Sequence, residues 1–107
     1  MKVSVFNKLV AKRVSAFLNV LAKKDSEYSR NGDRLHNFKV AARHKDESPE
    51  LALYGMFIKH LVSLEDTIRD ADEMGEVPDS LVLSEKMNDC HNYLFLLEGL
   101  LEERRSS

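Results

Sequence analysis

The chain reads as an all-α protein, three long helices plus a short connecting helix. Apolar residues recur at three- and four-residue steps in three separate stretches, helix-start and turn residues stand between them, and no stretch shows the alternation of a strand. With 107 residues, 43% hydrophobic and 32% charged, the composition is that of one folded domain rather than a disordered chain.

The first helix spans about residues 4 to 24. Phe6, Val10, Val14, Phe17 and Leu21 form its apolar stripe, Leu9 and Leu18 widen it, and lysines take the other side. Residues 27–47 connect it to the next helix. Asn31-Gly32 marks a turn, and Leu35, Phe38, Ala41 and Ala42 predict a short docked helix. So long a connection, rich in functional side chains, is expected to shape a site. Ser48-Pro49-Glu50 opens the second long helix with a capping serine, a proline at the first helical position and an acidic first turn. It runs to about Asp72, with Leu51, Tyr54, Ile58, Leu61 and Ile68 expected inside and Leu53, Phe57 and Leu64 beside them. Gly75 and Pro78 mark the next turn. The third long helix covers about Ser80 to Arg104, with Arg104 and Arg105 at its negative dipole end. It carries two apolar stripes, Leu83-Met87-Cys90-Leu94-Leu97-Leu101 and Val82-Asp89-Tyr93-Leu96-Leu100. Phe95, Leu96 and Leu100 extend that surface beyond what one neighbour covers, which predicts a bundle completed by homo-oligomerisation.

The single domain, 1–107, thus divides into a basic N-terminal helix (1–26), a connecting segment (27–47) and an acidic helical hairpin (48–107). The net charge of -2 hides that division: residues 1–45 carry eleven Lys/Arg against three acidic residues, and the remainder five against fifteen. Mutual attraction between packed helices accounts for such polarity, and so does a site where basic groups meet phosphates while carboxylates hold a cation. The single cysteine, Cys90, leaves no internal disulfide and suits a reducing cytoplasm. Lys8, Lys12 and Arg13 interrupt the apolar N-terminal stretch, so no secretory signal is visible, and no run is long enough to span a membrane.

The strongest chemical signal is Asp89, a carboxylate inside an apolar stripe. Burying it unpaired costs several kcal/mol, so it is expected to be paired, metal-bound or in a cleft. Glu85 sits one turn earlier on the same face, and Asn92 lies near the same edge. If the two long C-terminal helices pack antiparallel, Glu65 or Asp66 faces Glu85 and Asp89. Carboxylates so gathered repel one another and call for a hard divalent cation such as magnesium, which suits phosphate chemistry. The plainer reading is an exposed charged face with Lys59, Arg69 and Lys86 as partners. Other motifs fail: Met74 occupies a ligand position in the EF-hand-like Asp70-Ala-Asp72 run, the four histidines lack zinc spacing, and no phosphate-cradling glycine loop or nucleophile elbow is present.

The pattern Tyr28…Gly32-Asp33-Arg34-Leu35-His36-Asn37-Phe38-Lys39, Ser48-Pro49-Glu50…Gly55-Met56…Lys59-His60…Asp66, Glu85-Lys86…Asp89…Asn92-Tyr93…Leu96-Leu97 resembles a group of small phage and prophage proteins over roughly residues 27–103. More distantly it is similar to the all-α nucleoside triphosphate pyrophosphatases, which include MazG and the dimeric dUTPases, and to the phage nucleotide modification associated domain. That resemblance implies paired acidic motifs that bind magnesium and cut between the α and β phosphates. Glu85 and Asp89 resemble the second motif, at E-x-x-x-D spacing, while Glu47-Ser48-Pro49-Glu50 has the letters of the first but stands at a helix start.

The expected function is therefore a magnesium-dependent nucleotide-binding protein of phage origin, with pyrophosphohydrolase activity if the acidic set is complete. Glu85, Asp89 and Asp66 are the candidate catalytic residues, with Glu65 joining them as metal ligands. Arg34, Lys39 and Lys59 are candidates for the phosphates, and His36, Asn37, Phe38, Asn92 and Tyr93 for the base or sugar pocket. The alternative is a catalytically silent phage module that binds a host protein or a signalling nucleotide. Nucleic-acid binding through the Lys-rich first helix ranks last, because the chain is acidic overall and aromatics do not interleave with its basic residues. The expected location is cytoplasmic, the host's if a phage encodes the chain.

Overall fold

Local chemistry sets the helix ends in the computed structural model, which describes all 107 residues. Helix α1 (Val3–Tyr28) starts after Lys2 with no side-chain cap and no acidic residue in its first turn. Asn31 and Gly32 then take positive φ, 53° and 75°, and Arg30 and Asp33 exchange backbone hydrogen bonds across them, closing a tight reversal. Helix α2 (His36–Lys45) ends where Asp46 turns left-handed. Helix α3 (Pro49–Met74) is capped as the sequence predicts: Ser48 Oγ accepts from Leu51 N–H, Pro49 fills the first position, and Gly75 at φ 66° ends it. At α4 (Ser80–Arg105) the Asp79 carboxylate accepts from the Leu81 and Val82 amides, both at 3.0 Å. Each such cap contributes about 1 kcal/mol. No strand forms, and no helix is long and apolar enough to cross a membrane.

Helices α3 and α4 pack as an antiparallel pair: Phe57 meets Tyr93, His60 meets Asp89, and Ser63 meets Lys86. Helix α2 covers α3, and α1 rests on α4. The core is Phe38, Leu53, Phe57, Cys90, Leu96 and Leu100, ringed by Leu35, Met56, Leu61, Leu64, Tyr93 and Leu97. Only 11 of 107 residues are buried, so most of the apolar periodicity in the sequence is not spent inside the chain.

Three expectations about the core are corrected. On α3 the buried face is Ala52, Leu53 and Phe57, whereas Leu51, Tyr54, Ile58 and Ile68 are exposed. That helix has apolar residues on two opposite sides, and periodicity alone does not say which side faces in. On α1 only Phe17 is buried; Phe6, Val10 and Val14 are exposed, and the side-chain contacts with α4 begin at Arg13, leaving the first ten residues of the helix uncovered. On α4, Leu96 and Leu100 lie inside this chain's own core, leaving Phe95 as the exposed member of the predicted patch.

Candidate ligand site

Asp89 projects from the middle of α4 into the space where α1 and α3 both approach. Its carboxylate lies 3.6 Å from Lys24 Nζ on α1 and 3.6 Å from His60 Nδ1 on α3, and its side chain is 34% exposed. Neither neighbour is within hydrogen-bonding distance, so the carboxylate is held loosely. Burial pushes the His60 imidazole below its ordinary value; Asp89 pulls the other way, and Lys59 and Lys24 add to the lowering. His60 is therefore neutral at pH 7, and its contact with Asp89 is not an ion pair. The Lys24 contact is a half-exposed pair of the kind worth less than about 1 kcal/mol.

One turn along α4, the Tyr93 ring lies parallel to Phe57, 5.3 Å away at 6°, and is tilted toward His60 at 5.0 Å. Phe38 meets it edge-on at 6.4 Å. Burial, then the nearby Asp89 charge, raises the Tyr93 hydroxyl pKa, so the phenol stays protonated and can donate. Between Asp89 and Tyr93 comes Asn92, which is buried and whose Oδ1 has no hydrogen-bond partner. A buried acceptor left open costs about 1–3 kcal/mol, and such groups are uncommon in folded chains. The other buried amide of the helix, Asn88, is satisfied: its Oδ1 accepts from Arg13 Nη1 at 3.3 Å, and the same guanidinium reaches Ser84.

The remaining sequence-predicted residues disperse. Glu65, Asp66 and Glu85 are exposed, and no three His, Cys, Asp or Glu side chains gather into a group that could hold a metal ion by themselves. Glu65 and Glu85 stand at the same level of the α3–α4 pair, but both point outward. Asp66 instead lines a cavity of about 240 Å³ with Thr67, Asp70, Glu76, Val77, Pro78 and Lys86. The four carboxylates therefore do not form a magnesium cage within one chain. Lys39 is bound to Asp33 at 2.7 Å and Glu103 at 2.6 Å, and Arg34 to Asp25 at 2.6 Å while covering the Tyr28 ring at 5.9 Å. Phe38 belongs to the core, His36 is half-buried at the start of α2, Asn37 is exposed, and Lys59 is exposed and free of ion pairs. A second cavity, about 230 Å³, lies between Lys39, Glu50, Glu103 and Arg104, and neither cavity opens on Asp89.

Two members of the Asp89 cluster escaped the sequence reading. Lys24 is one lysine among several on a basic helix, and His60, though part of the resemblance pattern, has no spacing that marks it as a partner of Asp89. The signal in the sequence is the place of Asp89 in an apolar stripe, which asks for partners on facing helices. The chain matches no protein-family model, no curated protein and no solved structure.

Proposed function

We propose that this protein binds a nucleotide-class ligand, an aromatic base carrying phosphates, beside Asp89. The observation that carries the reading is a half-buried carboxylate without a hydrogen bond, set between Lys24, a neutral His60 and the Tyr93 ring. Each group has a use in such a ligand. Tyr93, with one face already on Phe57, and His60 offer a base their remaining ring surface. Lys24 and the unpaired Lys59 offer charge to phosphates. Asp89 accepts from sugar hydroxyls, and the buried, unpartnered Asn92 Oδ1 one turn away would accept an N–H donor from a ligand that inserts between the helices.

Magnesium joins the proposal in a limited form. A cation already held by a nucleotide's phosphates needs only one or two protein carboxylates, and Asp89 is the one this cleft offers. Pyrophosphohydrolysis asks for more acidic groups, and Glu65, Asp66 and Glu85 stand apart from Asp89, so binding is the better-supported half of the expectation. The resemblance read from the sequence over residues 27–103, which no family model matches, would imply the same ligand class.

The test is a panel of nucleoside mono-, di- and triphosphates, with and without magnesium, followed by NMR on labelled protein and by assay of released pyrophosphate. Shifts centred on His60, Asp89 and Tyr93 are expected with at least one nucleotide. Spectra unchanged across the whole panel would end the reading, leaving a silent protein-binding module as the alternative.

A further inference from the structure

The N-terminal half of α1 is a helix with no visible reason to be one. Residues 3–12 are all exposed, lack a capping side chain and an acidic first turn, and include Val3, Val5, Phe6, Asn7 and Val10, all weak helix formers. An isolated helical stretch of that length is marginal in water. Yet Phe6, Leu9 and Val10 continue the same face that, at Phe17, packs on α4. On α3, Leu51, Tyr54, Ile58 and Val62 make a second stripe at steps of three and four on the side away from α4, all exposed by 42% or more.

The chain's surface is correspondingly too large. It exposes 7865 Å², whereas a monomer of 12.3 kDa is expected to expose about 6,100 Å². Its radius of gyration is 16.2 Å against about 13 Å for a compact domain of this length. The excess, about 1,800 Å² per chain, is more than twice the roughly 800 Å² each partner contributes to a standard interface.

We infer that a second copy of this chain covers these faces, the first half of α1 from each copy lying on the Leu51–Val62 stripe of the other. Charge chooses this pairing over α1 on α1. Helix α1 bears Lys8, Lys12 and Arg13 with no acidic residue before Asp25, so two of them face to face repel, whereas along the α3 stripe Glu65 and Asp66 balance Lys59 and Arg69 and leave no net charge against α1. The contact occurs twice in a two-fold dimer, which closes the assembly. A basic amphipathic helix also suits an anionic membrane surface, but that occupant leaves the α3 stripe bare. The inference is independent of the ligand proposed at Asp89.

The test uses the full chain in sedimentation equilibrium, with single-cysteine reporters for the pairing; native Cys90 is buried. The expected mass is twice the 12.3 kDa chain at micromolar concentration. Phe6→Glu with Val10→Glu, and separately Ile58→Glu with Val62→Glu, should each give monomer with retained α3–α4 helicity. A mixture of Leu9→Cys and Ile58→Cys chains should join through a bis-maleimide, while Leu9→Cys alone should not. A monomeric wild type, a dimer that survives both double substitutions, self-joining of Leu9→Cys, or binding of the monomer to anionic phospholipid vesicles would each overturn the inference.

Discussion

Asn88 and Asn92 lie one turn apart on α4 and are both buried, yet replacing each by leucine should change stability in opposite directions. Asn92 Oδ1 is buried without a partner, an arrangement that costs about 1–3 kcal/mol relative to a satisfied or apolar group. Leucine is close in size and removes that cost, so Asn92→Leu should raise unfolding free energy by about 1–2 kcal/mol. For a domain near 100 residues each kcal/mol moves the melting temperature by roughly 4–8 °C. Asn88 instead accepts from Arg13. Hydrogen bonds to charged groups contribute about 1.5–3 kcal/mol, but this one is 3.3 Å long and part-buried, so a net loss near 1 kcal/mol is expected for Asn88→Leu. Urea denaturation of the two variants and wild type, with m-values checked for constancy, measures both. If Asn92→Leu destabilised the protein as much as Asn88→Leu, the Asn92 carbonyl would be a satisfied structural group, and its place in the ligand site would fall.

Two further outcomes follow from the packing and charges. Arg104 holds the Glu50 carboxyl at about 2, against an ordinary 4.5, through a two-pronged contact at 2.8 Å. A carboxyl with a depressed folded pKa stabilises above its unfolded pKa and loses that contribution as pH falls from about 4.5 toward 2. Carboxyl-detected NMR titration should find Glu50 returning toward 4.5 in Arg104→Ala, and an unmoved titration would refute the pairing. Phe17 is the only buried residue of α1 and stacks on Phe95 at 5.5 Å. Phe17→Ala should therefore loosen α1 while α3 and α4 keep their protection in hydrogen exchange, whereas uniform loss across all four helices would show α1 to be integral to the core.

The helices were legible because their signals are local. Ser48-Pro49, the Asn31-Gly32 turn and the Gly75 stop act within a few residues of themselves, and the 3.6-residue period needs no knowledge of the partner. The orientation of α3 was not legible, since Leu51-Tyr54-Ile58-Val62 and Leu53-Phe57-Leu61-Leu64 are comparably apolar and only the position of α4 decides which goes inside. The same limit governs the site. Asp89 declared itself by standing in an apolar stripe, but its neighbours depend on register: His60 and Ser63 lie opposite Asp89 and Lys86, which leaves Glu65 and Glu85 level yet facing outward. Lys24 comes from a helix 65 positions away, and nothing in its local sequence sets it apart from Lys23.

Isothermal titration of wild type and Asp89→Asn with nucleoside triphosphates, each with and without magnesium, tests the central claim most directly. Both contacts of Asp89 are loose and half-exposed, so the substitution should change stability by less than about 1 kcal/mol. The account predicts saturable heat for at least one magnesium nucleotide with wild type and at least tenfold weaker binding by Asp89→Asn, with the melting temperature moved by less than about 8 °C. Equal affinity in the two proteins, or no heat from wild type with any nucleotide, would contradict it.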